Sequence, residues 1–68
     1  MTKIQNNLSK LIALGASQHE IEAATGLHQS AISRLLNGKQ LDASGRYCDA
    51  VANMLREAKR VLKNLNNG

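Results

Sequence analysis

Between His28 and Leu36 two kinds of side chain alternate with helical spacing. Turned by about 100° per residue, Ala31, Ile32, Leu35 and Leu36 fall on one side, and Gln29, Ser30, Ser33, Arg34 and Asn37 on the other. Amides, hydroxyls and a guanidinium on one face offer hydrogen-bond donors and acceptors, with no nucleophile or paired carboxylate among them. Such a face suits recognition of another polar surface, or plain solvation. Bond-making chemistry finds no foothold elsewhere. His19 and His28 are nine positions apart with no third ligand nearby, Cys48 stands alone, and no phosphate-cradling loop or nucleophile motif occurs. The chain reads as no enzyme, with no metal, cofactor or small-molecule ligand expected.

Four helical segments must position that face. The first runs from about Lys3 to Leu14, with Ile4, Leu8, Leu11 and Ile12 at helical spacing and Gly15 as its stop. Thr2 and Gln5 have the form of a capping box at its start. Ser17 and Glu20 form a second box, opening a short helix with Ile21, Ala23 and Ala24 that ends near Thr25, where Gly26 can take a positive φ. The third is His28 to Leu36, stopped by Asn37-Gly38. The fourth begins at a cap supplied by Asp42 or Ser44 and runs to Leu65 without Gly or Pro after Arg46. Its apolar positions Tyr47, Val51, Met54, Ala58, Val61 and Leu65 alternate by four and three, widened by Cys48, Leu55 and Leu62. The tail Asn66-Asn67-Gly68 is expected to fray.

Composition fits this reading. The chain has 68 residues, 43% hydrophobic, with Tyr47 its one aromatic and no Pro. Leu, Ile, Val and Ala must build the core, and Ala and Leu favour helix. The expected class is all-α, one unit over 1–68. A core this small holds about 3–5 kcal/mol alone, and no disulfide can add to it, so oligomerisation is expected. The single cysteine fits a reducing compartment. No apolar run approaches the roughly 20 residues of a membrane span and no signal-peptide pattern opens the chain, so a cytoplasmic location is expected. The net charge of +4 favours polyanionic partners. It does not sit on the polar face: Ser17–Gly38 carries Arg34 against Glu20 and Glu22, and the excess cations lie on either side.

The informative stretch is Gln18–Lys39. A capped short helix, a turn at Gly26-Leu27 and a second helix with one polar face make a helix-turn-helix pattern, with Leu27 and Ile32 plugging the angle between the helices. This stretch resembles the helix-turn-helix of the lambda repressor/Cro-like (Xre) family of phage and bacterial regulators. Gln29-Ser30-Ala31-Ile32 resembles the opening of a Cro recognition helix. Gln18, and Leu36-Asn37-Gly38-Lys39, resemble the corresponding helix start and end in lambdoid repressors. The resemblance implies a four-helix domain with the helix-turn-helix at 18–39. Here a long C-terminal helix, about 44–65, stands where the family commonly has two shorter ones.

The resemblance also implies a sequence-specific regulator of transcription in the bacterial cytoplasm, cell- or phage-encoded. It would act as a repressor on a palindromic operator in double-stranded DNA, with helix 28–36 in the major groove. Gln29, Ser30, Ser33 and Arg34 would face base edges, Gln suiting adenine N6/N7 and Arg suiting guanine O6/N7. Gln18, His28, Asn37 and Lys39 would meet phosphates. Two positions depart from the family. Glu22 stands where a small residue is usual, so it must snorkel outward or the helix must rotate to let Ala23 make the contact. His28 replaces the usual Ser or Thr cap, leaving a phosphate contact or a weak cap open. The far half of the last helix has little to pack on in one subunit, so Met54, Leu55, Ala58, Val61, Leu62 and Leu65 are expected to form a homodimer interface. Rival readings are a helical protein–protein adaptor without DNA readout, and an architectural or recombination accessory DNA-binding protein.

Overall fold

The computed structural model describes residues 2–67, and Met1 and Gly68 lie outside the described residues. Its elements are α1 (Lys3–Ala13), α2 (Gln18–Thr25), α3 (Gln29–Leu36) and α4 (Gly45–Asn67), with no strand among the described residues. Each shorter helix starts where a polar side chain receives a free amide. The Thr2 hydroxyl accepts from the Gln5 N–H at 3.2 Å, and Ser17 and Glu20 complete a reciprocal box at 3.1 and 3.0 Å. The Thr2 box is only half formed. The Gln5 side chain instead crosses to α3 and donates to the Leu36 carbonyl at 3.3 Å.

The core gathers where the four helices meet. Leu8 and Leu11 of α1, Ile21 of α2, Ile32 and Leu35 of α3 and Val51 of α4 are almost wholly sequestered, with Ile4, Leu27, Ala31 and Leu55 around them. Leu27 and Ile32, expected to plug the α2–α3 angle, are both buried in this cluster. Ile12, expected on the buried stripe of α1, is instead 38% exposed, because one turn of α1 already places Leu8 and Leu11 inward. Leu55, expected in a homodimer interface, is 6% exposed and belongs to the core instead.

At the start of α4, Ser44 is the residue that receives helix amides, through its backbone carbonyl, from Tyr47 and Cys48. Asp42 accepts from the Ala43 amide and the Cys48 thiol. Burial first, then the Asp42 hydrogen bond, pushes that thiol above its ordinary pKa, away from the reactive thiolate form. α4 runs on to Asn67, past the expected end at Leu65, and the expected fraying of the last residue, Gly68, concerns a position outside those described. At 23 residues α4 is about 34 Å long, while the whole fold measures 40 × 19 × 19 Å. Its second half therefore overhangs the bundle.

Two glycines set the ends of the central helices. Gly26 terminates α2 at φ +79° and Gly38 terminates α3 at φ +75°. Thr25 secures the first turn, donating to the Ile21 carbonyl and accepting from the Leu27 amide at 3.1 Å. A Cβ at Gly26 would meet only the Tyr47 ring at 3.9 Å, so a side chain there is opposed by the backbone, not by space. Gly26→Ala should destabilise the fold by about 1–2 kcal/mol. Gly45→Ala, at an unstrained helical position with nothing within 4 Å, should stabilise it by about 0.5 kcal/mol. Urea denaturation of both variants checks the pair, and equal effects would contradict the assignment of strain to Gly26.

Candidate nucleic-acid interface

The polar face of α3 is outward because its opposite face, Ala31, Ile32 and Leu35, is the floor of the core. Ser30 and Arg34 are exposed, and Gln29 and Ser33 are half-buried along the same side. Gln18 is half-buried at the start of α2, and His28, Asn37 and Lys39 are exposed around the ends of α3. Seven of the eight candidate contact residues thus line α3 and its flanking turns, and Gln18 stands apart at the start of α2.

Side chains from neighbouring elements hold this face in place. At the N-terminal end, His28 is the cap: its Nδ1 accepts from the Ser30 amide at 3.2 Å and lies 2.8 Å from the Ser30 hydroxyl. With Nδ1 accepting, a neutral ring carries its proton on Nε2. Glu22 adds a second cap across the turn. One carboxylate oxygen accepts from the Gln29 amide at 3.2 Å, and the other accepts from the Gln29 side-chain Nε2 at 3.2 Å. Neither expected arrangement of the α2–α3 contact occurs. Ala23 is exposed, and Glu22 turns across to α3, where the helix dipole favours a negative charge.

At the other end, the amides of Gly38 and Lys39 close back on the Leu35 and Arg34 carbonyls at 3.3 and 2.8 Å, a Schellman arrangement that Gly38 permits. The turn brings Gln40 beside α3. Its Oε1 accepts from Arg34 Nε at 3.2 Å, while its Nε2 donates to the Asp42 carbonyl at 2.8 Å. This bond uses the inner nitrogen of the guanidinium and leaves the two terminal nitrogens for another partner. Asn37 donates to the Ser33 hydroxyl at 3.4 Å. Spacing singled out neither Gln40 nor the Gln5 tether. The available clue to Gln40 was its place just beyond the Asn37-Gly38 stop.

Residues 8–60 match the family model described as helix-turn-helix, and that span takes in every element from the middle of α1 to the far half of α4. The chain belongs to the lambda repressor/Xre-like helix-turn-helix family. That family is one of DNA-binding helix-turn-helix regulators and is not an enzymatic one. Over 32 residues the chain is also 56% identical to protein P2 of Acyrthosiphon pisum secondary endosymbiont phage 1. That stretch covers 47% of this chain and 34% of the phage protein, so the match spans about a third of that relative. No solved structure gives a significant match. Among the described residues no helix is long and apolar enough to cross a membrane, and no group of three His, Cys, Asp or Glu is placed to hold a metal ion.

The two carboxylates on the first helix of the helix-turn-helix are both held below the ordinary glutamate value of 4.5. Glu20 is lowered by hydrogen bonds from the Ser17 backbone and hydroxyl, and Glu22 by those from the Gln29 side chain and backbone. A depressed folded-state pKa adds stability that is complete above the unfolded value and lost as the pH falls through the folded one. The native chain should therefore lose its advantage over a Glu20→Ala/Glu22→Ala variant as the pH drops from about 6 to about 3. Thermal melts followed by circular dichroism measure this, and a gap that stays constant over that range is the contrary result.

Proposed function

We propose that this regulator binds a specific palindromic site as a homodimer, with α3 in the major groove, and represses transcription by occupying it. The observation that carries the reading is the fixed outward face of α3. An eight-residue helix tethered at both ends presents Gln29, Ser30, Ser33 and Arg34 as one rigid set. A major groove about 12 Å wide admits one α-helix, and side chains that are already ordered lose less freedom on binding. In this reading Arg34 offers its terminal nitrogens to guanine O6/N7. Gln18, His28, Asn37 and Lys39 hold phosphates on either side, and the cations outside Ser17–Gly38 supply the non-specific attraction.

The dimer reading rests on the overhang of α4. Val61 and Leu65 are 55% and 71% exposed, Leu62 is partly exposed, and Met54 and Ala58 continue the stripe towards the core. With Leu14 and Glu57, all of these except Leu65 line an open apolar groove of about 390 Å³. A symmetric pairing along this stripe would cover it and set two α3 helices over half-sites about 34 Å apart. Leu55 takes no part, being occupied in the core. Occupancy by such a dimer would itself exclude polymerase, whereas activation would need a further contact.

Selection from random duplexes followed by salt titration tests the DNA reading. The selected duplex should hold its advantage over random DNA as salt weakens both. Arg34→Ala should relax one base position by about 1–3 kcal/mol of discrimination, while Lys39→Ala should weaken every sequence alike. Uniform loss for Arg34→Ala would count against base reading. For the dimer, light scattering at micromolar concentration should give twice 7.4 kDa for the native chain and 7.4 kDa for Val61→Glu/Leu65→Glu. A native chain that scatters as a monomer, free and on its selected duplex, would end the dimer reading.

A further inference from the structure

The Gln29 side chain does not hang free. Its Nε2 lies 3.2 Å from Glu22 Oε1 and 3.3 Å from His19 Nδ1, while its own backbone amide is held by Glu22 Oε2. An ionised carboxylate can only accept, so the face of the Gln29 amide turned towards it must be the NH₂ group. With that NH₂ group also facing His19, Nδ1 is the accepting nitrogen of the ring. Both amide hydrogens then have partners within the protein, and Oε1 alone is left to face outward with its lone pairs. Two-pronged pairing with adenine needs one of those hydrogens for N7 as well as Oε1 for N6. The tether withdraws the first prong.

We propose that Glu22, helped by His19, is a specificity-determining positioning residue that makes Gln29 a pure acceptor towards DNA. In that state Gln29 pairs with a base edge that carries an amino group, adenine N6 or cytosine N4. It repels guanine O6 and thymine O4 through their lone pairs. The inference rests on the reading that α3 lies in the major groove with Gln29 at a base edge. It accounts for a large acidic residue at a position where a small one is usual. Both of the Glu22 oxygens are spent on Gln29. The depressed pKa of its carboxyl agrees with these bonds.

The experiment measures relative affinity for all four bases at every position of a selected duplex, using the native chain, Gln29→Ala and Glu22→Ala. The Gln29 position is the one whose preference disappears in Gln29→Ala. There the native chain should accept adenine and cytosine about equally and disfavour guanine and thymine by about tenfold. In Glu22→Ala the freed amide should regain its second prong, and adenine should gain about tenfold over cytosine. Loss of a negative charge near phosphates should also tighten all sequences, but uniformly, so the base ratio separates positioning from plain electrostatics. Should Glu22→Ala fail to fold by circular dichroism, Glu22→Gln, with one acceptor oxygen for two, should shift the same ratio in the same direction. A Gln29 position that keeps its profile in the Glu22 variant overturns this proposal alone, as does a native chain already strict for adenine. If Gln29→Ala changes no position, the groove reading falls and takes the proposal with it.

Discussion

Everything in this fold depends on six aliphatic side chains meeting at one junction. Leu8, Leu11, Ile21, Ile32, Leu35 and Val51 come from all four helices and have no aromatic residue among them. Truncating one such leucine to alanine costs about 2–5 kcal/mol, as much as a core of this size holds in total. There is no slack, so the rotation of each helix about its own axis is decided by which residue must reach the junction. For α3 that choice commits Ala31, Ile32 and Leu35 inward and leaves the polar set outward. Its chemistry follows from its packing.

Packing alone would not keep α3 in place. Eight residues fall well short of the roughly 12–15 an isolated helix needs in water, so its ends must be secured from outside. Gln5 reaches its last carbonyl from α1, Glu22 its first amide from α2, and Gln40 its guanidinium from the loop beyond. Each bond is part-buried or exposed and individually modest, about 0.5–1.5 kcal/mol. Together they fix the orientation of the helix on which the proposed DNA reading depends. A salt bridge such as Glu57–Arg60, at 3.6 Å with both side chains largely exposed, contributes far less to that purpose.

The elements were legible in the sequence wherever a local rule decides them. The Ser17–Glu20 box, the stops at Gly26 and Asn37-Gly38, and the Leu27–Ile32 plug depend on residues within a few positions of one another. The tertiary roles were not legible. Gln5 matches the capping box as well as Glu20 does, yet the nearby Leu36 carbonyl takes its side chain. Glu22 looked like a misfit because small residues are expected where helices approach, and only the position of the α3 amide shows a carboxylate to be useful there. Ile12 and Leu55 repeat the lesson. Periodicity puts both on apolar stripes, but which end of a stripe meets the core depends on where the neighbouring helix stops.

The overhang of α4 has a consequence for how the chain opens. Up to Leu55 the helix is clamped over the junction, so its amides can exchange with solvent only when the whole bundle comes apart. Beyond Val61 the bundle supplies no such clamp, and the helix rests on its own backbone bonds. One continuous helix therefore spans two regimes of opening, global at one end and local at the other. Hydrogen exchange along α4 would show a gradient with its break between Leu55 and Val61, and the slope beyond the break would report whether a second surface closes over it.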